Sequence, residues 1–228
     1  MNLLRHLPNA LTCGNLLCGC LGIVWVLQYP IEYAAYFVWA ACVFDFLDGF
    51  AARALHVTSP IGKELDSLAD MVSFGLLPAM VMYSLIHAVS DEPLLAYIGF
   101  SIAVFSALRL AQFNIAENQK DSFVGVPTPA VALFLTALPF LPPPLHVVID
   151  HAITLLAITF LFSFLLVSPW ELFALKFKNF SWADNQIRFT FLLLAVLLLA
   201  GWRAGAIPII ILLYIGMSLV SKLLKSRK

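Results

Sequence analysis

Of the 228 residues, 62% are hydrophobic and only 11% are charged, far from the roughly 25% charge of soluble domains. That composition excludes an ordinary water-soluble domain and describes a polytopic membrane protein. With 13 Lys and Arg against 13 Asp and Glu, the net charge of zero says less than where the charges fall. Taken in order, hydrophobicity predicts about eight transmembrane helices, at 10–28, 32–55, 61–88, 93–117, 128–140, 145–167, 187–202 and 205–224. Each span needs about 20 apolar residues. Turn residues separate them: Tyr29-Pro30, Thr58-Ser59-Pro60, Ser90 to Pro93, and Pro142-Pro143-Pro144. The chain is thus expected to be all-α, a single integral membrane domain over 1–228, with a catalytic core at about 5–170 and a C-terminal hairpin at about 187–224. The basic residue before the first apolar run resembles a signal peptide, but no clear cleavage site follows, so this run is read as a retained first span.

The basic residues test that count. With both termini inside, Arg5, Arg53, Lys63, Arg109, Lys120, Lys176, Lys178, Arg188, Lys222, Lys225, Arg227 and Lys228 all fall on or near the inner side. Arg203 alone falls outside. The bias predicts an even number of spans with cytoplasmic termini. Residues 168–184, which mix aromatic with charged side chains, suit an amphipathic segment in the inner headgroup layer. Cys13, Cys18, Cys20 and Cys42 lie in apolar stretches without metal spacing and read as small membrane hydrophobes. The five histidines have no ligand spacing. The five tryptophans are candidate interface anchors. No nucleic-acid partner is expected.

Four aspartates stand out against this background: Asp45, Asp48, Asp66 and Asp70. Acids inside a membrane are costly, and the default reading is a functional site. Asp45 and Asp48 are three residues apart, Asp66 and Asp70 four apart, so each pair projects from one helix face. Two such helices packed together would aim four carboxylates at one point, and divalent cations would remove the repulsion. Gly49 and Ala52 carry almost no side chain and permit close approach of a flat group. Arg53 is a bidentate donor suited to phosphate. Gly62, near the start of the next helix, suits a site where backbone N–H groups meet an anion. Asn9 and Thr12 are three apart; Asn9 either caps the first helix or serves the same site. Arg109, near the inner end of the fourth span, needs an anionic partner, a substrate phosphate or the acceptor's carboxylate, unless it snorkels to the interface or pairs with one of the aspartates.

The segment D45-x2-D48-G49-x2-A52-R53-x8-G62-x3-D66-x3-D70 resembles the signature of the CDP-alcohol phosphotransferases at every fixed position. PNALT at Pro8–Thr12, LDSLADMVSFG at Leu65–Gly75, the Arg109 helix ALRLAQFN and the GVPTPA turn at 125–130 look like the phosphatidylserine synthase branch. The chain departs from that branch with Leu108, with Gln112 in place of a second arginine, and with Thr128 in place of serine. The resemblance implies a transferase that converts CDP-diacylglycerol and L-serine to phosphatidylserine and CMP. It implies that Asp45, Asp48, Asp66 and Asp70 hold Mg²⁺ or Mn²⁺, two ions in all, and that Asp70 is the catalytic base. It further implies that Asn9, Thr12, Asp48, Gly49, Ala52, Arg53 and Gly62 bind the CDP-lipid, and that the enzyme is a homodimer in the inner membrane of a prokaryote with its site facing the cytoplasm. Direct attack by Asp70 on phosphorus is the covalent alternative. The rival acceptors are glycerol 3-phosphate, inositol phosphate and choline. A divalent-cation transporter is the rival from another class.

Overall fold

The computed structural model describes residues 3–57, 59–115, 122–173 and 181–226. Helix α1 (Leu7–Gln28) and helix α2 (Ala34–Ala54) form the first antiparallel pair. Then comes one continuous 30-residue helical rod, 60–89, built as α3 (Pro60–Asp70), a π-helical turn (Met71–Leu76) and α4 (Leu77–Val89). A 3₁₀ segment (Pro93–Phe100) leads into α5 (Ser101–Ile115). Helix α6 (Thr128–Thr136) is followed by the short α7 (Pro143–His146) and then α8 (Ala152–Val167). Helices α9 (Trp182–Trp202) and α10 (Ala206–Ser226) close the chain. Strands β1 (Ser122–Val124) and β2 (Glu171–Phe173) pair antiparallel, with Phe123 opposite Leu172; the rest of the described fold is helices and turns.

Among the described residues, five segments are long and apolar enough to cross a membrane, or six if a bent pair is one span, which makes this an integral membrane protein. The fold class is as expected, and this length test returns fewer spans than the eight expected, for local reasons after residue 120. The span expected at 128–140 is a nine-residue helix, stopped at Ala137 ahead of Pro139 and the proline run at 142–144. Its side chains are mostly buried, so it fills the bundle interior. The span expected at 145–167 is bent by 80° between Pro143–Ile149 and Ala152–Val167, where His151 is extended. The segment Asn185–Ser221 turns back at Arg203 (φ 49°, ψ −128°), and the Phe191 and Tyr214 rings meet at 5.8 Å across the hairpin. The amphipathic segment expected at 168–184 falls largely outside the described residues. All four cysteines are free.

Two local features position the site. First, the Leu77 N–H reaches the Val72 carbonyl, five residues back, which makes the turn π-helical. Pro78 lies just downstream, without an N–H to give and with a ring that crowds the carbonyl four residues before it; a widened turn accommodates both. Second, α1 presents small residues to this rod. A Cβ on Gly19 would lie 2.5 Å from Ser73 Oγ and 2.8 Å from Ser73 Cα. Backbones meet there as small residues permit in membrane bundles.

Gly19→Val should therefore wedge α1 off the rod and cost roughly 1–3 kcal/mol by overpacking. Gly216→Ala, with open space around the added carbon, is the control. Thermal unfolding in detergent should show a clear drop for the first and none for the second.

Candidate active site

The aspartates sit where α2 and α3 converge. On each helix the predicted spacing holds, and oxygens of Asp45, Asp48 and Asp66 all lie within 4.8 Å of one another. Asp70 stands one turn deeper on α3, with Oδ1 accepting from Asn15 Nδ2 at 3.0 Å. The structure thus gathers three of the four expected ligands into one cluster and holds the fourth beside it by a separate bond.

Helix α1 supplies the third wall. Thr12 Oγ1 donates to Asp48 Oδ2 at 2.6 Å and lies 3.0 Å from the Pro8 carbonyl oxygen. Asn15 is fully buried, and its own carbonyl oxygen accepts from Ser73 Oγ in the π turn at 2.8 Å. The chain Ser73–Asn15–Asp70 therefore ties the carboxylate to the helix junction. Sequence reasoning passed over Asn15, although it lies one helical turn beyond Thr12, on the same face as the Asn9–Thr12 pair.

Above the acids opens a cleft of about 290 Å³ lined by Asn9, Thr12, Asp48, Gly49, Ala52, Gly62, Lys63 and Asp66, with Pro8, Val57 and Ser59 at its edges. Six of the seven residues expected to bind the CDP-lipid line it. The seventh, Arg53, is exposed and runs along the Gly49 side, its nearest guanidinium nitrogen 3.4 Å from where a Gly49 Cβ would stand. Asn9 lies inside α1, two residues past its start, so it does not cap that helix. Gly62 contributes space instead of a free N–H. Ser59 Oγ caps α3 by accepting from Gly62 N at 3.0 Å, while a Cβ on Gly62 would come within 3.1 Å of Asn9 Oδ1.

Two basic residues frame the floor. Arg109 on α5 is 8% exposed, its Nε has no hydrogen-bond partner, and Asp70 is the acid whose charge acts on it. Lys63 Nζ donates to the Asn114 carbonyl at 2.8 Å, and Asn114 Nδ2 donates to Ser67 Oγ at 2.9 Å, so α5 is tied to α3 beside the cleft. Lys63 and Asn114 were not singled out as site residues; their pairing depends on a fold contact across 51 positions.

The donor set can be tested for a metal. Among the described residues, no Lys or Arg nitrogen lies within 4.0 Å of any of the four carboxylates. Asp66 Oδ1 is buried with no hydrogen-bond partner. Three hard oxygen donors converge with their charge uncompensated, and that fits a divalent cation.

The family model described as CDP-alcohol phosphatidyltransferase matches residues 5–170. The chain belongs to that family. It is 36% identical over 143 residues to the CDP-diacylglycerol–serine O-phosphatidyltransferase of Bacillus subtilis, covering 62% of this chain and 80% of that protein. It is 36% identical over 141 residues to the protein of that name from Helicobacter pylori, covering 59% of this chain and 57% of the relative. The archaetidylserine synthase of Methanothermobacter thermautotrophicus is 32% identical over 136 residues, or 58% of this chain and 56% of that protein. The match thus spans little more than half of the latter two.

Titrating Mn²⁺ into the purified protein and following the free-ion signal by electron paramagnetic resonance should reveal binding. Asp48→Asn and Asp66→Asn should each weaken it at least about tenfold, because each removes one charged ligand. Undiminished binding in both variants would take these carboxylates out of the metal site.

Proposed function

We propose that the chain transfers a phosphatidyl group from CDP-diacylglycerol to L-serine, releasing CMP. The observation that carries this reading is the uncompensated carboxylate cluster at the floor of a cleft shaped by Gly49, Ala52 and Gly62. Serine as acceptor is supported by the names of the relatives from three organisms. Cytidine occupies the small-residue wall of α2, and Arg53 presents its paired N–H groups to the diphosphate. Asn9 and Thr12 border the same groups from α1.

Asp45, Asp48 and Asp66 would hold Mg²⁺ or Mn²⁺, with Asp70 completing a two-ion site. A metal held there would supply positive charge to offset the diphosphate and the departing CMP. Asp70 uses the carboxylate oxygen not engaged by Asn15 to accept the proton of the serine hydroxyl. As that proton leaves, the serine oxygen forms a bond to the phosphorus bearing diacylglycerol, and the bond from that phosphorus to the CMP oxygen breaks. Arg109 faces the acceptor carboxylate from α5. Asn15 positions Asp70 and touches no substrate. The orientation with the site at the cytoplasmic face is supported by twelve of the thirteen Lys and Arg falling on that side. A homodimer is supported by the family resemblance.

The test is CMP release by purified protein with CDP-diacylglycerol, Mn²⁺ or Mg²⁺, and each acceptor in turn: serine, glycerol 3-phosphate, inositol 1-phosphate and choline. Release that depends on serine and is abolished by EDTA is expected; release with another acceptor would move the chain to a sister activity. Arg53→Lys should raise KM for the CDP-lipid several-fold, because it loses the fork geometry. Asn15→Ala should lower kcat by about tenfold or more, with KM for the CDP-lipid nearly unchanged, because it frees Asp70 to misorient.

A further inference from the structure

The end of the bundle away from the aspartates carries a second built site. Tyr36 and Trp39 lie near the start of α2, and the twelve residues from Tyr36 to Asp48 span about 18 Å of helix. A groove of about 530 Å³ opens between them, Phe140, and the α9–α10 turn with Trp202 and Arg203. Its aromatic wall is continuous: Tyr36 meets Trp39 edge-on at 4.8 Å, and Phe140 lies 6.0 Å from each. The turn is seated closely on this wall, since a Cβ on Gly205 would fall 2.3 Å from the Phe140 carbonyl oxygen. Arg203 adopts a positive φ of 49°, a conformation that side-chain-bearing residues rarely take and that the seated turn holds in place.

Two donors in this groove lack partners. Arg203 makes no ion pair or hydrogen bond among the described residues. The Trp39 Nε1 is buried with no acceptor. A full positive charge and a dry N–H beside the same aromatic wall call for an anion with several acceptor oxygens, and a guanidinium pairs best with a phosphate or carboxylate. Tyr36, Trp202 and Leu199 border the groove on the bundle surface with 49%, 48% and 43% exposure. An occupant must therefore carry apolar chains as well as an anionic head. Arg203 is also the one Lys or Arg that the charge distribution assigns to this side of the membrane.

We propose that this groove binds the phosphate headgroup of an anionic phospholipid in the leaflet opposite the aspartates, with Arg203 and Trp39 Nε1 as donors and the acyl chains lying against Leu199. The site is independent of the catalytic reading.

Native mass spectrometry of the full chain, delipidated and then titrated with phosphatidylglycerol or phosphatidylcholine, tests it. The wild type should retain one phosphatidylglycerol per chain in preference to phosphatidylcholine. Arg203→Gln should weaken that retention about tenfold, as loss of a charge-assisted bond predicts. Trp39→Phe, which keeps a ring and removes the N–H, should weaken it several-fold, and Arg203→Lys should fall between wild type and Arg203→Gln. CMP release should be unchanged in all three, which shows them folded. If Arg203→Gln fails to fold, Arg203→Lys and Trp39→Phe still decide the matter. Equal retention in wild type and variants, or equal retention of both lipids, would overturn the proposal. So would displacement of the lipid by soluble glycerol 3-phosphate. A dimer-to-monomer change in Arg203→Gln without loss of lipid would make this surface an interface between copies instead, and would equally overturn it.

Discussion

Three carboxylates held within 4.8 Å of one another, with no Lys or Arg nitrogen among the described residues within 4.0 Å of them, set the terms for the rest of the molecule. At an effective dielectric near 20, each pair of unit charges at that separation repels by about 3 kcal/mol. Three pairs approach the whole net stability of a typical folded protein. The chain does not supply the compensating charge, although two cations are close by. Lys63 lines the same cleft but donates to the Asn114 carbonyl, and Arg53 lies against Gly49. Both remain outside the cluster. The acids are thus left able to take a cation from solution, with the bases at the rim of the cleft.

Holding unpaired acids in register requires a stiff frame, and α1 provides it. Its Thr12 and Asn15 bond one aspartate from each acidic helix, Asp48 on α2 and Asp70 on α3. One helix thereby fixes the mutual position of the other two. The close approach depends on Gly19 at Ser73, and Ser73 belongs to the π turn that Pro78 favours. A backbone irregularity a full turn below the acids thus feeds directly into the orientation of Asp70. The π turn and the small-residue packing thus act on one carboxylate.

Much of this was legible in the residues. The acid spacings on α2 and α3, the small Gly49 and Ala52, and the Asn9–Thr12 face all converge as their periodicities require, because helical phase follows from sequence alone. Asn15 continues that same phase and was legible in principle. Lys63 with Asn114 was not, since nothing in the sequence between them indicates that α5 returns to the start of α3. The helices after residue 120 depart from their expected lengths for a different reason. Hydropathy measures how well a segment tolerates an apolar environment, and the interior of a bundle is as apolar as lipid. Helix α6 is apolar because it is buried in protein, and its prolines, present in the sequence all along, mark where it stops. The bend at His151 likewise leaves no trace in average hydrophobicity.

The depths of the four acids order the chemistry. Measured along the helices from the α2–α3 loop, Asp48 and Asp66 lie about 9 Å in, and Asp45 and Asp70 about 14–15 Å in. The cleft residues Asn9, Gly49, Ala52 and Gly62 flank the shallow pair. Buried Arg109 lies toward Asp70, in the deep part. On the proposed reading, a nucleotide entering from the polar side would meet the small-residue wall first, with its phosphates extending inward to the acids. The reacting phosphorus, which must keep its acyl chains in lipid, belongs at the deeper level. An acceptor alcohol that attacks it has to pass below the headgroup layer, where few polar groups are available to receive it. Asp70 and Arg109 are the charged groups at that depth on α3 and α5, one able to take a proton and the other to hold an anion. Discrimination among acceptors on this geometry is a matter of which small polar molecule can exchange its water for those two side chains.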